Sequence, residues 1–144
     1  MAHTIFQFTN TFSLFAWLFL LILPNWKYTL KILASGWVVL LALLYAFLLS
    51  QGIGDFSFES FGSIASIRAL FQDDMALTAG WIHYLAFDML VGCLIVHQSK
   101  EQGIPRWLYS ICLPFTFMFG PVGYLMYKLL SLRYKGAAWF TPRF

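Results

Sequence analysis

Charged side chains are scarce in this chain of 144 residues, of which Asp, Glu, Lys and Arg make up only 10%, against about 25% in soluble domains. The formal net charge of +3 is too small and too scattered for a surface that binds the phosphate backbone of nucleic acids. Apolar residues reach 60%, more than a small soluble domain can bury beneath its surface. These values exclude an ordinary soluble enzyme, a disordered chain and a nucleic-acid-binding protein, and they indicate an integral membrane protein.

Cysteine and histidine are also rare, which limits disulfide and metal chemistry. Cys93 and Cys112 both fall inside apolar runs, so we expect small buried side chains rather than a disulfide. The histidines at positions 3, 83 and 97 share no spacing typical of a zinc site, and we predict no metal ion. The first apolar run has neither a basic n-region nor an A-x-A-like cleavage site, so we interpret it as a retained span.

Four apolar segments are long enough to cross a bilayer, whose hydrocarbon core of about 30 Å needs about 20 helical residues. Because backbone polar groups in lipid must be satisfied within the segment, we predict an all-α integral membrane protein, a four-helix bundle in a single domain. The predicted spans are residues 4–23, 30–50, 75–97 and 107–130. The helical spacing of Ile64, Ile67 and Phe71 predicts a short interfacial helix between spans two and three.

Four spans place both termini on one face of the membrane. The basic residues then divide evenly between Arg68, Arg133, Lys135 and Arg143 on that face and Lys27, Lys31, Lys100 and Arg106 on the other. Lys128 tips the balance weakly toward termini in the cytoplasm. At the start of the third span, Asp74 is expected to cap the helix, with Asp73 favourably placed beside its positive end. A cation site or a substrate-headgroup site at the mouth of a pocket is the alternative interpretation of this acidic pair.

The third span carries an imidazole and a carboxylate within the apolar run WIHYLAFD. Ionisable groups inside a span are costly and mark a functional site by default. His83 and Asp88 differ by about 140° in azimuth and about 7.5 Å in rise, so they share a cavity only between several helices. Trp81, Tyr84 and Asp88 form a row at helical spacing. We take Asp88, His83 and Tyr84 as candidate catalytic residues, and Trp81 and Phe87 as candidate ligand-binding residues.

A structural role for Asp88 is the alternative interpretation. A buried hydrogen bond to Asn10, Thr116 or Tyr127 of a neighbouring helix would tie the third span to the bundle. His83 is expected nearer the interface, where a functional and a structural role are equally compatible with the sequence.

The fourth span contains the run FTFMFGPVGY, which is aromatic and interrupted by Pro121. Proline removes the hydrogen bond to the carbonyl of Phe117, so we predict a kink there. The flanking glycines allow close approach of another backbone or of a flat, conjugated ligand. Plain helix packing would use the same residues. The candidate ligand-binding residues of this span are Phe115, Phe119, Gly120, Pro121 and Gly123.

The first span has an aromatic row and a polar patch. Phe8, Phe12, Phe15 and Phe19 recur at helical spacing and either face lipid or line a groove for a polyene. Gln7, Asn10 and Thr11 are expected to face the bundle, with Asn10 as a candidate ligand-binding residue. Trp17, Trp26, Trp107 and Trp139 are interpreted as interfacial anchors.

The run WIHYLAFDMLVG (81–92), the tripeptide GIP (103–105) and the run PFTFMFGPVGYLMY (114–127) together resemble the neoxanthin-synthase-like family of small membrane proteins. That family includes the plant abscisic-acid-deficient-four type and has relatives in cyanobacteria and other bacteria. Its plant members are implicated in converting the epoxide violaxanthin to the allene neoxanthin. The resemblance implies a multi-pass protein of a bacterial inner membrane or a photosynthetic, thylakoid-type membrane, with a carotenoid as substrate or ligand.

Two functions of different classes follow. The first is a carotenoid-modifying isomerase without a cofactor, in which protonated His83 or Tyr84 is the acid and Asp88 the base, because opening an epoxide to an allenic alcohol only moves one proton. The second is a non-catalytic subunit that binds a pigment or membrane lipids, or packs against a larger complex such as a photosynthetic one. A small channel is disfavoured because the other spans lack charged pore-lining residues.

Overall fold

The structure, a computed structural model, describes residues 1–52 and 58–134. The regular elements of these residues are helices, so the all-α prediction is confirmed for this part of the chain. Three helices are long and apolar enough to cross a membrane: α1 (Ala2–Ile22), α2 (Thr29–Gln51) and α4 (Asp74–Glu101). They coincide, apart from a few residues at their ends, with the predicted spans 4–23, 30–50 and 75–97. Cys93 and Cys112 are buried free thiols, as expected.

A short helix, α3 (Ile64–Leu70), lies between α2 and α4 where the interfacial helix was predicted. Ser63 caps it, because its hydroxyl oxygen accepts a hydrogen bond of 3.0 Å from the Ser66 backbone N–H. Ile64 is 78% exposed, whereas Ile67 is half-buried and the ring of Phe71 lies against Gly80 of α4.

The start of α4 corrects one expectation. Asp73, not Asp74, is the capping residue, since its Oδ1 accepts hydrogen bonds from the N–H groups of Met75 (2.9 Å) and Ala76 (2.8 Å). Asp73 has an extended backbone, which turns its side chain back over the first free N–H groups. Asp74 is already the first helical residue and stands near the positive end of the helix dipole.

Helix α4 is the centre of the bundle and packs against α1, α2 and the two helices that follow it. Its apolar side chains interleave with those of the neighbouring helices. The most deeply buried apolar residues of the core are Leu20, Leu41, Ile82, Leu85, Met89, Ile95, Val96 and Leu113. By contrast, most large apolar side chains of α1 and α2 point outward, which is typical of helices in lipid.

The predicted fourth span, 107–130, is not one helix. It consists of α5 (Arg106–Phe119) and α6 (Pro121–Ser131), separated by Gly120. Gly120 has a φ of +33°, a backbone conformation that residues with a Cβ rarely adopt. Pro121 then occupies the first position of α6, where no backbone N–H is needed. The prediction of a single kinked helix is therefore wrong, because the glycine ends α5 before the proline begins a new helix.

Helix α6 folds back along α5. A Cβ on Gly123 would overlap the backbone nitrogen and Cα of Thr116, although in a continuous helix these residues would be about 10 Å apart. The Tyr84 hydroxyl, in the first half of α4, donates to the carbonyl of Phe117 near the end of α5, at 3.1 Å. Tyr127 of α6 instead donates to Gln98, near the end of α4, at 3.1 Å. The chain therefore reverses at Gly120.

The two arms of this hairpin are too short to cross a membrane. With 14 and 11 residues, they span about 21 and 16 Å, against a hydrocarbon core of about 30 Å. The hairpin therefore enters and leaves on the side where α4 ends, and Gly120 lies at its tip, opposite the middle of α4. The geometry is that of a re-entrant hairpin, packed on one side against α4 and exposed on the other.

Basic residues tie the base of the hairpin to the end of α1. Arg106 donates to the carbonyls of Leu21 (3.0 Å) and Ile22 (2.9 Å). Lys100 donates to the carbonyl of Pro24. These carbonyls lack helical partners and lie at the negative end of the α1 dipole, so both cations stabilise the junction.

The hairpin also moves basic residues to one face of the membrane. That face now carries Lys27, Lys31, Lys100, Arg106, Lys128 and Arg133, whereas Arg68 belongs to α3 at the opposite end of the bundle. The even distribution expected for four spans is replaced by a strong asymmetry, because Lys128 and Arg133 change sides. Lys135, Trp139 and Arg143 lie outside the described residues.

The first prediction concerns this topology. We expect the lysine-rich and arginine-rich face to be cytoplasmic, with residue 2 outside and residue 132 inside. Single cysteines introduced as Ala2→Cys and Leu132→Cys should be labelled by a membrane-impermeant maleimide from opposite sides, and the buried native cysteines should contribute little background. Labelling of both positions from the same side of intact cells would show instead that residues 107–130 cross the membrane.

The second prediction concerns the hairpin contact. Gly123→Ala should lower the free energy of unfolding by about 1–3 kcal/mol, because a methyl group there overlaps the Thr116 backbone and forces the arms apart. Gly36→Ala is the matched control, since a Cβ at Gly36 meets nothing within 4 Å. Thermal unfolding in detergent measures both, and equal melting temperatures for the two variants would contradict the hairpin.

Candidate functional site

Asp88 lies near the middle of α4 and faces the hairpin tip. It is 7% exposed, and a Cβ on Gly120 would lie 2.5 Å from its Oδ1 atom. Only glycine lets the turn backbone approach the carboxylate this closely. The Oδ2 atom is buried and has no hydrogen-bond partner among the described residues. A carboxylate oxygen left unpaired in a protein interior is costly, by about 1–3 kcal/mol or more.

Tyr84 lies one helical turn before Asp88 and connects α4 to the hairpin. Its hydroxyl donates to the carbonyl of Phe117 at 3.1 Å, which is the carbonyl that Pro121 leaves without its helical donor. The same hydroxyl lies close enough to Asp88 to interact with its carboxylate. Two acceptors therefore compete for one O–H donor, and rotation of the hydroxyl about its C–O bond redirects the hydrogen bond from one acceptor to the other.

The start of α6 lies beside this carboxylate. Gly120, against which Asp88 packs, directly precedes the first residue of α6. The first N–H groups of a helix have no helical acceptors and favour a nearby negative charge. The hairpin therefore supplies an electrostatic partner for an ionised Asp88 in a region from which water is largely excluded. Such a carboxylate can accept a proton from a bound molecule.

Helix α1 closes the other side of the site. Phe6 contacts Trp81, with ring centroids 5.6 Å apart, and Trp17 lies against Gly92. In both pairs the residue of α4 follows the residue of α1 by the same number of positions, so the two helices run parallel and in register. Asp88 follows Ser13 by that same number of positions, so these two residues lie at the same level of the bundle.

Ser13 and Trp17 turn polar atoms into this interior. Ser13 Oγ and Trp17 Nε1 are buried and have no hydrogen-bond partner among the described residues. Trp17 also contacts Phe117 of α5, with ring centroids 5.4 Å apart. The expectation that Trp17 is an interfacial anchor is therefore wrong, whereas Trp26 and Trp107 are exposed as anchors should be.

The structure brings together some of the residues singled out from the sequence. Trp81, Tyr84 and Asp88 form the expected row, and the rings of Trp81 and Tyr84 are in contact at 5.3 Å. Gly120 and Gly123 are buried at the hairpin turn. Tyr84 and Asp88 contact the hairpin, through Phe117 and Gly120 respectively.

His83 and Phe87 lie elsewhere on α4. His83 is exposed, and its ring contacts Phe87 at 4.6 Å and Tyr45 of α2 at 5.4 Å. His83 and Asp88 lie on different sides of α4, and the imidazole of His83 is directed toward α2 and lipid. The two groups therefore face different neighbours, and the assignment of His83 as a catalytic acid is not supported by the geometry.

Other candidates point away from the bundle. Asn10 is exposed, which corrects its expected orientation, because the buried face of α1 is formed by Thr9, Ser13, Trp17 and Leu20. Phe115, Phe119 and Pro121 are exposed on the outside of the hairpin, as are Phe8, Phe12 and Phe15 on α1. The aromatic row of α1 therefore faces lipid.

The structural alternative for Asp88 required a bond to Asn10, Thr116 or Tyr127. Thr116 donates instead to the carbonyl of Cys112 at 2.9 Å, and Tyr127 donates to Gln98. Asp88 is therefore not held by any of the predicted polar partners. The residues that sequence reasoning missed are Ser13 and Trp17, although the spacing of Thr9, Ser13 and Trp17 by single helical turns could have identified them.

One comparison with known proteins gave a match. The family model ABA4-like, described as ABA DEFICIENT 4-like, matches residues 4–127. The matched region contains α1, Asp88 and the turn at Gly120. A search of the curated proteins and a search of the solved structures each gave no match. Because the family model covers most of the chain, the protein belongs to the ABA DEFICIENT 4-like family.

Proposed function

We propose that the protein is a carotenoid-modifying membrane isomerase that converts the epoxide group of a xanthophyll to an allenic alcohol. Membership of the ABA DEFICIENT 4-like family supports a protein of the neoxanthin-synthase type. The observation that carries the proposal is Asp88, a buried carboxylate on α4 that packs against the hairpin tip and whose Oδ2 atom has no partner among the described residues. The membrane is bacterial or photosynthetic, and its lipids surround the exposed aromatic side chains.

The reaction needs one base and one acid. Asp88 takes the proton from the vinylic carbon next to the epoxide, and the electrons of that C–H bond form the new double bond of the allene. The neighbouring C–O bond of the epoxide breaks, and its oxygen keeps the electron pair. Tyr84 gives its hydroxyl proton to this oxygen and regains one from Asp88. No electron, water molecule or cofactor is consumed, and each proton transfer contributes about 10²–10⁴-fold.

The geometry favours Tyr84 over His83 as the acid. Tyr84 lies beside Asp88 and can rotate its hydroxyl away from Phe117, whereas His83 faces Tyr45 on another side of α4. A non-catalytic pigment-binding or lipid-binding subunit, also one within a larger complex, is the second candidate. The exposed aromatic side chains of α1 and α5 favour it, because they offer a large apolar surface to a polyene.

The third prediction tests the base. Asp88→Asn keeps the shape of the side chain but removes its basicity, so the variant should fold and bind ligand yet convert a xanthophyll epoxide at least about 10²-fold more slowly. The matched control is Asp74→Asn, an exposed carboxylate at the start of α4. Chromatography of the pigments after incubation with reconstituted protein measures conversion. Full conversion by the Asp88→Asn variant would exclude the catalytic proposal and favour the pigment-binding subunit.

The fourth prediction separates the two candidate acids. Tyr84→Phe removes only the hydroxyl and should slow conversion by about 10²-fold, while His83→Gln should leave the rate close to that of the unmutated protein. The same chromatographic assay applies to both. A slow His83→Gln variant with a fast Tyr84→Phe variant would reverse the assignment.

A further inference from the structure

Three buried polar atoms without partners among the described residues belong to side chains on the facing sides of α1 and α4. They are Ser13 Oγ, Trp17 Nε1 and Asp88 Oδ2, and the three side chains are exposed by only 1%, 5% and 7%. Ser13 is level with Asp88, and Trp17, one turn further along α1, lies against Gly92, one turn further along α4. The three side chains therefore lie on facing sides of α1 and α4 within about one helical turn of each other, close enough for one bound group to reach all three.

The Ser13 hydroxyl could have been satisfied by its own helix, and it is not. Thr9, one turn earlier on the same face, donates to the carbonyl of Ile5 at 2.9 Å. Thr116 does the same with the carbonyl of Cys112 across the interior, also at 2.9 Å. Back-bonding of this kind is the ordinary solution for a hydroxyl in an apolar helix. Ser13 instead keeps its hydroxyl available to a partner outside α1.

The three atoms are chemically complementary to a single oxygen atom. The indole N–H of Trp17 only donates, the Ser13 hydroxyl donates or accepts, and an ionised Asp88 only accepts. A hydroxyl or epoxide oxygen accepts hydrogen bonds from Trp17 and Ser13. The hydrogen of such a hydroxyl, or a hydrogen on the carbon beside the oxygen, then faces Asp88. A hydrocarbon polyene offers no atom that can pair with this set.

We infer that Ser13 and Trp17 bind the oxygen of an oxygenated polyene opposite Asp88 and determine its selection over a hydrocarbon polyene. The inference rests on the proposed function for the identity of the ligand. During epoxide opening the two donors hold the oxygen as it gains negative charge, an arrangement that is worth about 10²–10³-fold for one donor in other enzymes. A water molecule has the same hydrogen-bonding chemistry and is the other source of such an oxygen.

The test measures binding, so that it does not depend on turnover. The probes are a hydrocarbon carotene and a 5,6-epoxy xanthophyll of the same chain length, titrated into the full-length protein in detergent and followed by their absorbance. The unmutated protein should bind the epoxide at least about tenfold more tightly. Ser13→Ala and Trp17→Phe should each lose most of that preference and leave the affinity for the carotene unchanged.

Matched controls exist for both variants. Trp37 Nε1 and Ser99 Oγ are also buried and unpartnered within the described residues, but Trp37 belongs to α2 and Ser99 lies near the far end of α4. Trp37→Phe and Ser99→Ala should therefore keep the preference. Equal affinity of the unmutated protein for both probes would overturn the inference and leave a water molecule as the occupant. Retention of the preference by Ser13→Ala and Trp17→Phe would also overturn it.

A second measurement needs neither α1 variant to fold. Infrared difference spectra of the unmutated protein should show a shift of the Asp88 carboxyl band, identified by its loss in Asp88→Asn, when the epoxide is added and not when the carotene is added. An identical response to both probes contradicts the inference. If the epoxide is preferred but never converted, the isomerase proposal fails while the oxygen-binding site stands.

Discussion

The interruption of a helix inside a membrane is the constraint on which this structure depends. Backbone groups freed at depth find no water, so each must be paired within the protein. At Gly120 the chain leaves one helix and starts another, and α4 supplies what the break requires. Tyr84 donates to the free carbonyl of Phe117, and Pro121 has no N–H to satisfy. The carboxylate of Asp88 packs against Gly120, directly before the start of α6. Two residues of the candidate site, Tyr84 and Asp88, are thus also the residues against which the break packs.

The base of the hairpin follows a different rule, because water and lipid headgroups are near. There Arg106 and Lys100 pair with the end of α1, and Tyr127 links Gln98 and Gln102. These contacts close one face of the bundle around the two loops that emerge from it. The positive charge gathered there predicts an orientation that four complete spans would not have predicted. One glycine conformation in the interior therefore shapes the site and also brings the basic residues of α6 to the face where α1 and α4 end.

Much of this arrangement could be predicted from the sequence. Apolar length located α1, α2 and α4, and helical spacing placed Trp81, Tyr84 and Asp88 in one row. The two glycines of the run FGPVG indicated a close backbone approach, which the contact between Gly123 and Thr116 shows. The reversal could not be predicted, because hydropathy measures length and not direction, and residues 107–130 are apolar enough for a straight span. The rotation of α1 about its axis was also predicted incorrectly. The short polar patch around Asn10 is more conspicuous in the sequence than the row of Thr9, Ser13 and Trp17, which is the buried one.

The contrast between paired and unpaired polar groups bears on what Asp88 does. A structural carboxylate would be expected to use both of its oxygens, as buried polar groups do. Asp88 has potential partners on three sides, yet Thr116 and Tyr127 bond elsewhere and Ser13 has no partner among the described residues. Ser99 and Tyr109 also lack partners within that part of the chain, but a hydroxyl is far less costly to bury than a carboxylate. A group that is this expensive to leave unpaired, at the point where three helices and a turn meet, is explained by a reaction or a ligand better than by packing.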